Sequence, residues 1–276
     1  MNTSGFRLLL ALCCFAFGSL LPAQNIPYEE LKDIRRQIEA CQPLDGIDKG
    51  LLPNYDGPIN IEKWYRPNTR SLPSPYRIMF VLKEPWGEGG RDLSKECNDM
   101  QRLPYDGKST YKPMVVIANM IVKGRQDYDG MATLAEQEEG FSIFKESSGI
   151  MEVSKFSGGT NSNNYEIAQY AEQNMQLLSR QIEVYKPNIV IIGVGKFASD
   201  RMVKKSPSGN YIIFGREQMA IPIMLKYPVS DYCCAYKTAE CLYVVTYHPN
   251  ARVKKDKYCE AIYIAVQDWI GNRKIK

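Results

Sequence analysis

The chain has 276 residues, 44% of them hydrophobic, with 35 basic against 31 acidic side chains and a formal charge of +4. That length suffices for one α/β domain of about 250 residues plus an extension, and no second domain is required. The near balance of charge excludes polyanion binding driven by overall charge and leaves it to local patches; the presence of only 1 histidine argues against a classical zinc site, and no metal is expected.

Residues 1–23 stand apart: Arg7, an uncharged run over 8–21 (LLLALCCFAFGSLL), then Pro22 and Ala23. A basic start, an apolar middle and a small residue before the cut form the pattern of a secretory signal peptide. The run is short of the ~20 apolar residues a membrane span needs, so no stable span is expected in the mature chain. The alternative is a translation start placed upstream of a cytosolic domain. Residues 24–276 read as one domain. Beyond the leader lie Cys41, Cys97, Cys233, Cys234, Cys241 and Cys259. An even number suits disulfides after export, but none forms a C-x-x-C pair and the adjacent Cys233 and Cys234 cannot easily bridge each other.

In chain order, residues 28–41 (YEELKDIRRQIEAC) predict an amphipathic helix with Leu31, Ile34 and Ile38 on one face. Pro-rich segments lead to a first strand over 77–82, followed by a turn carrying Glu84, Pro85 and three glycines. The Gly- and Asp-rich stretch 86–108 predicts a long loop, a common home for function, and 111–123 (YKPMVVIANMIVK) a buried helix. A charged, weakly patterned region precedes a short strand over 150–156 (IMEVSKF) and a Gly-Ser-Asn loop. One long amphipathic helix is expected over 164–185, closed by Lys186 and Pro187, and 188–194 (NIVIIGV) is the apolar run of a central parallel strand. A helix beginning near Lys196, a strand over 210–214, a last core strand over 242–246 and a closing helix over 257–270 complete the pattern. Strands alternating with helices predict a three-layer α/β/α sandwich around a central, mainly parallel sheet.

Two strand ends carry chemistry. The first strand stops at Glu84 and the last at His248, in LYVVTYHPN. In open parallel sheets the ligand crevice lies outside the carboxyl ends of the strands, so a carboxylate and an imidazole distant in sequence are expected to face one pocket.

The order of motifs over residues 77–270 resembles the uracil-DNA glycosylase superfamily. VLKEPWGE occupies the family's strand-turn-proline motif, with Glu84 before Pro85 where members place aspartate, asparagine or alanine. Pro104, Tyr105 and Gly107 look like the Pro-Phe-Gly element whose ring stacks on the extruded base, which makes Tyr105 the matching ring. IMEVSK resembles the strand whose asparagine reads the pyrimidine edge, with Glu152 in the asparagine's place. NIVIIGVGKFA, with Gly195 and Ala198, resembles the central strand and its following glycine, and TYHPNARVKKDKY the terminal His-Pro-Ser motif, with Asn250 after Pro249 in place of serine.

The resemblance implies an N-glycosidic hydrolase without cofactor that flips uracil or another altered base out of single- or double-stranded DNA, acting as a monomer. In that reading His248 donates to the departing base and Glu84 activates water or stabilises the cationic sugar. Glu152, as an ionised acceptor, shifts base preference. Asn250, Arg252, Lys254 and Lys255, beside the His-Pro turn, contact flanking phosphates. Two other readings follow from the residues. One is a glycosylase-like module that binds nucleic acid or a nucleotide without cutting it. The other is a nicotinamide oxidoreductase, from Gly193-Val-Gly195-Lys-Phe-Ala198 after an apolar strand, with Glu217 close to the spacing of the required acid. The leader points to export and the glycosylase resemblance to the cytoplasm.

Overall fold

A computed structural model of the chain describes residues 25–45, 52–72, 74–85, 87–103, 108–158, 163–226 and 228–273. The leader-like residues 1–23, and Pro104, Tyr105 and Gly107, lie outside the described residues.

The helices are α1 (Tyr28–Glu39), α2 (Ile61–Tyr65), α3 (Leu93–Asp99), α4 (Lys108–Lys123), α5 (Tyr128–Leu134), α6 (Glu138–Ser147), α7 (Asn164–Gln173), α8 (Met175–Tyr185), α9 (Lys196–Met202) and α10 (Lys255–Arg273). The strands are β1 (Gly57–Pro58), β2 (Ile78–Leu82), β3 (Ser148–Glu152), β4 (Ile189–Ile192), β5 (Val203–Lys205), β6 (Tyr211–Ile213), β7 (Arg216–Gln218), β8 (Ile221–Ile223), β9 (Cys233–Lys237) and β10 (Leu242–Thr246). Seven of them form one sheet in the order β1-β3-β2-β4-β10-β9-β8, and β5-β6-β7 form a small antiparallel sheet. The neighbours among β3, β2, β4 and β10 run parallel, whereas β1, β9 and β8 are antiparallel additions at the two edges.

Period-2 alternation places the layers. Ile78, Phe80, Ile150, Ile191 and Val244 pack on one side, against apolar residues of α4, α6 and α10 such as Val116, Phe144 and Ile262. Met79, Val81, Met151, Val190 and Tyr243 pack on the other, against Ile34 of α1, Tyr170 of α7, Leu178 of α8 and Ala198 of α9. With both faces covered, the central strands can be apolar throughout, as IMFVL and IVII are. The result is an α/β/α sandwich.

Three local expectations are corrected. The strand expected over 150–156 ends at Glu152, because Lys155 is wholly buried and turns the chain inward: its Nζ donates to Asp56 Oδ2 at 2.6 Å, to the Glu152 carbonyl at 2.6 Å and to Gln181 Oε1 at 3.1 Å. The helix expected over 164–185 is two, broken at Asn174, whose side chain donates to the Val153 carbonyl at 2.9 Å instead of facing solvent. The long loop over 86–108 holds α3, capped by Asp92, whose side chain accepts from the Lys95 N–H at 3.0 Å. The strand expected over 210–214 exists as β6, in the small sheet rather than the central one.

Asp56 is the hub of the buried network. Its Oδ2 also accepts from the Glu152 N–H at 2.6 Å and its Oδ1 from Gln181 Nε2 at 2.6 Å. Removing one member of a buried pair strands the other's charge, at about 3–5 kcal/mol. Lys155→Met is therefore expected to lower the urea midpoint by a stability loss of that order, and Lys155→Met combined with Asp56→Asn to cost less than Lys155→Met alone; equal losses would show that the pair is not coupled.

Candidate active site at the carboxyl edge of the sheet

From β2 the chain crosses to β3 on one side; from β4 it crosses to β10 on the other. The order therefore reverses between β2 and β4, which are directly paired, Val81 opposite Ile192. Such a reversal leaves a crevice outside the carboxyl ends of the two strands. The predicted site residues are delivered around it. Glu84 lies two residues past β2, Glu152 ends β3 opposite Leu82, Gly193 and Gly195 follow β4, and His248 lies two residues past β10.

Backbone bonds lock these exits together. The Val153 N–H donates to the Leu82 carbonyl, that of Ser154 to Lys83 and that of Gly158 to Pro85, each at 2.9 Å, so the segments leaving β3 and β2 run side by side. Glu84 lies directly against Gly158: a Cβ on that glycine would collide with the Glu84 carboxyl group. On the other side Gly193 donates to the Val81 carbonyl at 2.9 Å and approaches the His248 backbone closely, a Cβ there falling 3.3 Å from the His248 Cα. Gly195 has φ +82°, a conformation that L side chains rarely adopt, and its open face lies beneath Lys83 and Asn164. Lys83 donates to Asn164 Oδ1 at 3.0 Å, so the lysine bridges the β2 exit to the start of α7.

His248 is half-buried and its tautomer is fixed by its neighbour. The Asn250 N–H donates to Nδ1 at 3.1 Å, which leaves Nε2 as the protonated nitrogen of the neutral ring. Burial, with the nearby Lys83 and Lys255 ammoniums, lowers its pKa to about 4. The turn is held by Lys255, whose Nζ donates to the Pro249 carbonyl at 2.6 Å and also to that of Ala251, and by Tyr258, whose hydroxyl donates to the Tyr247 carbonyl at 3.1 Å. Lys255, expected at a phosphate, instead closes the His-Pro turn; Arg252 and Lys254 are exposed. Asn250 holds the imidazole through its backbone, while Pro249 is buried.

Glu152 departs most from expectation. It is buried, and its Oε2 has no hydrogen-bond partner. Burial first and then the Asp56 charge raise its pKa to about 8, against an opposing effect of Lys155, with Glu84 adding the least. At neutral pH it is therefore mainly an uncharged acid offering one donor and one acceptor, not the ionised acceptor expected from residue type.

The sequence did not reveal Lys83–Asn164, the inward turn of Lys255 or the Asp56 hub; all depend on contacts between segments far apart in the chain. Among the described residues no group of three or more His, Cys, Asp or Glu could hold a metal ion, and no helix is long and apolar enough to cross a membrane. Among the described residues none of Cys41, Cys97, Cys233, Cys234, Cys241 and Cys259 forms a disulfide. Glu217 lies in the small sheet, its Oε1 accepting from Ser206, Ser208 and Asn210, rather than at the end of the next parallel strand where a ribose-binding acid belongs. No family model matches the chain, and no curated protein does.

The two shifted groups give opposite stability slopes. His248, with a folded pKa of about 4 against an ordinary 6.5, stabilises fully above pH 6.5 and less as pH falls toward 4. Glu152, with a folded pKa of about 8 against an ordinary 4.5, stabilises fully below pH 4.5 and less as pH rises toward 8. Between about pH 4.5 and 6.5 the two slopes cancel. In Glu152→Gln the His248 slope is expected to emerge, with stability rising from pH 4.5 to 6.5 in urea titrations compared with the wild type. NMR of the chain's only imidazole is expected to show titration near pH 4; a midpoint near 6.5 would contradict the assigned environment.

Proposed function

We propose that the chain is an N-glycosidic hydrolase of the uracil-DNA glycosylase type, removing uracil or another altered base from DNA. The observation that carries the reading is the convergence of Glu84, Glu152 and His248, from the exits of three parallel strands, on the reversal in strand order.

Cutting a C–N glycosidic bond separates charge: the sugar becomes cationic and the base anionic. A neutral His248, with Nε2–H turned to the leaving base, donates to the developing oxyanion, and its low pKa keeps the ring from taking up a second proton over the working range. Glu84, placed against Gly158, is the group for the other partner of the reaction, accepting a proton from the attacking water or opposing the positive sugar. An uncharged Glu152 presents a hydroxyl beside a carbonyl, the same pair of functions an asparagine or glutamine amide presents, and so suits a base edge with adjacent acceptor and donor. Tyr105 remains the proposed stacking ring. Arg252 and Lys254 are the remaining phosphate contacts; Asn250 acts on the imidazole.

The test is base release by the purified chain from single- and double-stranded oligonucleotides that each contain one uracil, hypoxanthine or xanthine. His248→Ala is expected to slow release by ~10²–10³, and Glu84→Gln to reduce it severely. Glu152→Gln is expected to retain release at neutral pH, because the amide copies the protonated acid, and to extend it above pH 8, where the wild type falls. Absence of release from every substrate by folded protein would leave the binding-module reading in its place.

A further inference from the structure

Two large aromatic side chains beside this site are open to water. Tyr165 is 69% exposed and Phe197 49%, yet the rings stack on each other with centroids 5.1 Å apart and planes 23° from parallel. Each belongs to the first turn of a helix that leaves the site. Tyr165 follows Asn164, the acceptor for Lys83, and its N–H is held by the Asn163 side chain at 3.0 Å. Phe197 comes two residues after Gly195, with exposed Lys196 between them. A third exposed ring, Tyr247, precedes His248.

Mutual stacking still leaves both residues substantially open to water. Neither ring contributes to the buried clusters on either side of the sheet. Their stack joins the starts of two packed helices, which hold the backbones in place, but it does not require the rings to stay open to water. The nearby charge is that of a polyanion's partner: Lys83 and Lys196 on one side of the crevice, exposed Arg252 and Lys254 past the His-Pro turn on the other. The acid closest in sequence, Glu166, is engaged by the Asn163 amide at 2.8 Å.

We propose that Tyr165 and Phe197 form a stacking platform for an unpaired base flanking the nucleotide in the site, so that the preferred ligand is single-stranded nucleic acid. This rests on the reading of the site as one that handles nucleotides, but it requires no bond to be cut. Exposed aromatic rings accept any base, because every base has a π face, whereas bases within a duplex are already stacked on their neighbours.

The experiment is fluorescence anisotropy of the full chain with a labelled oligothymidylate of about twelve nucleotides, with a duplex of the same length, and with an abasic strand of the same charge. The expected order is thymidylate tightest, with Tyr165→Ala and Phe197→Ala each weakening it by roughly tenfold or more. Tyr165→Phe and Phe197→Tyr should keep the affinity, and the abasic strand should bind the wild type as weakly as thymidylate binds the alanine variants. The proposal is overturned if thymidylate does not bind, if the abasic strand binds equally well, or if the alanine variants bind as tightly as the wild type. Base release is measured in parallel. Release that persists without ring-dependent binding would sink the platform and spare the hydrolase; ring-dependent binding without release from any substrate would do the reverse.

Discussion

A lysine ammonium with no contact with water is stable only if its environment supplies a counter-charge and acceptors for its protons, and Lys155 obtains all of them from three segments at once. Asp56 comes from the start of the sheet's edge strand, Gln181 from a helix on one face, and the Glu152 carbonyl from the end of β3. Together these contacts fix where β3 stops. That stop is what leaves Glu152 at the carboxyl edge, turns residues 153–158 alongside the β2 exit and lays Gly158 against Glu84. The ion pair touches no proposed substrate group, but the positions of two of the three chemical side chains are consequences of it.

The remaining side chain is governed by a different constraint. His248 occupies a tight turn whose carbonyls are gathered by Lys255 and whose next backbone N–H occupies Nδ1. Burial first, and then the Lys83 and Lys255 ammoniums, oppose a positive imidazole and keep the ring neutral.

The central strands are legible in the sequence because they are covered on both faces and need no polar alternation; IMFVL, IVII and LYVVT announce themselves. The placement of Glu84 and His248 at their ends is legible for the same reason, since a polar residue directly after such a run lies at an edge. What is not legible depends on partners. Asn174 interrupts a helical pattern because of a carbonyl at Val153, and nothing local to residues 164–185 marks the break. Lys155 looks like any surface lysine until Asp56 and Gln181 are brought to it. The protonation of Glu152 is likewise invisible, because residue type gives the ordinary carboxylate and only burial beside Asp56 and Glu84 reverses it. Helices α5 and α6 are hidden in a charged stretch where their short apolar faces are diluted by exposed acids.

The inverted order of titration at Glu152 and His248 has an energetic meaning of its own. In an unfolded chain between about pH 4.5 and 6.5 the glutamate has lost its proton and the histidine has gained one. In the folded protein both groups are neutral over that interval. Folding therefore acts as a proton transfer from imidazolium to carboxylate, with no net uptake from solvent, and erases a separated pair of charges as the strand ends come together. The crevice is left with polar groups that can exchange hydrogen bonds with a ligand without first shedding the tightly held water of two ions.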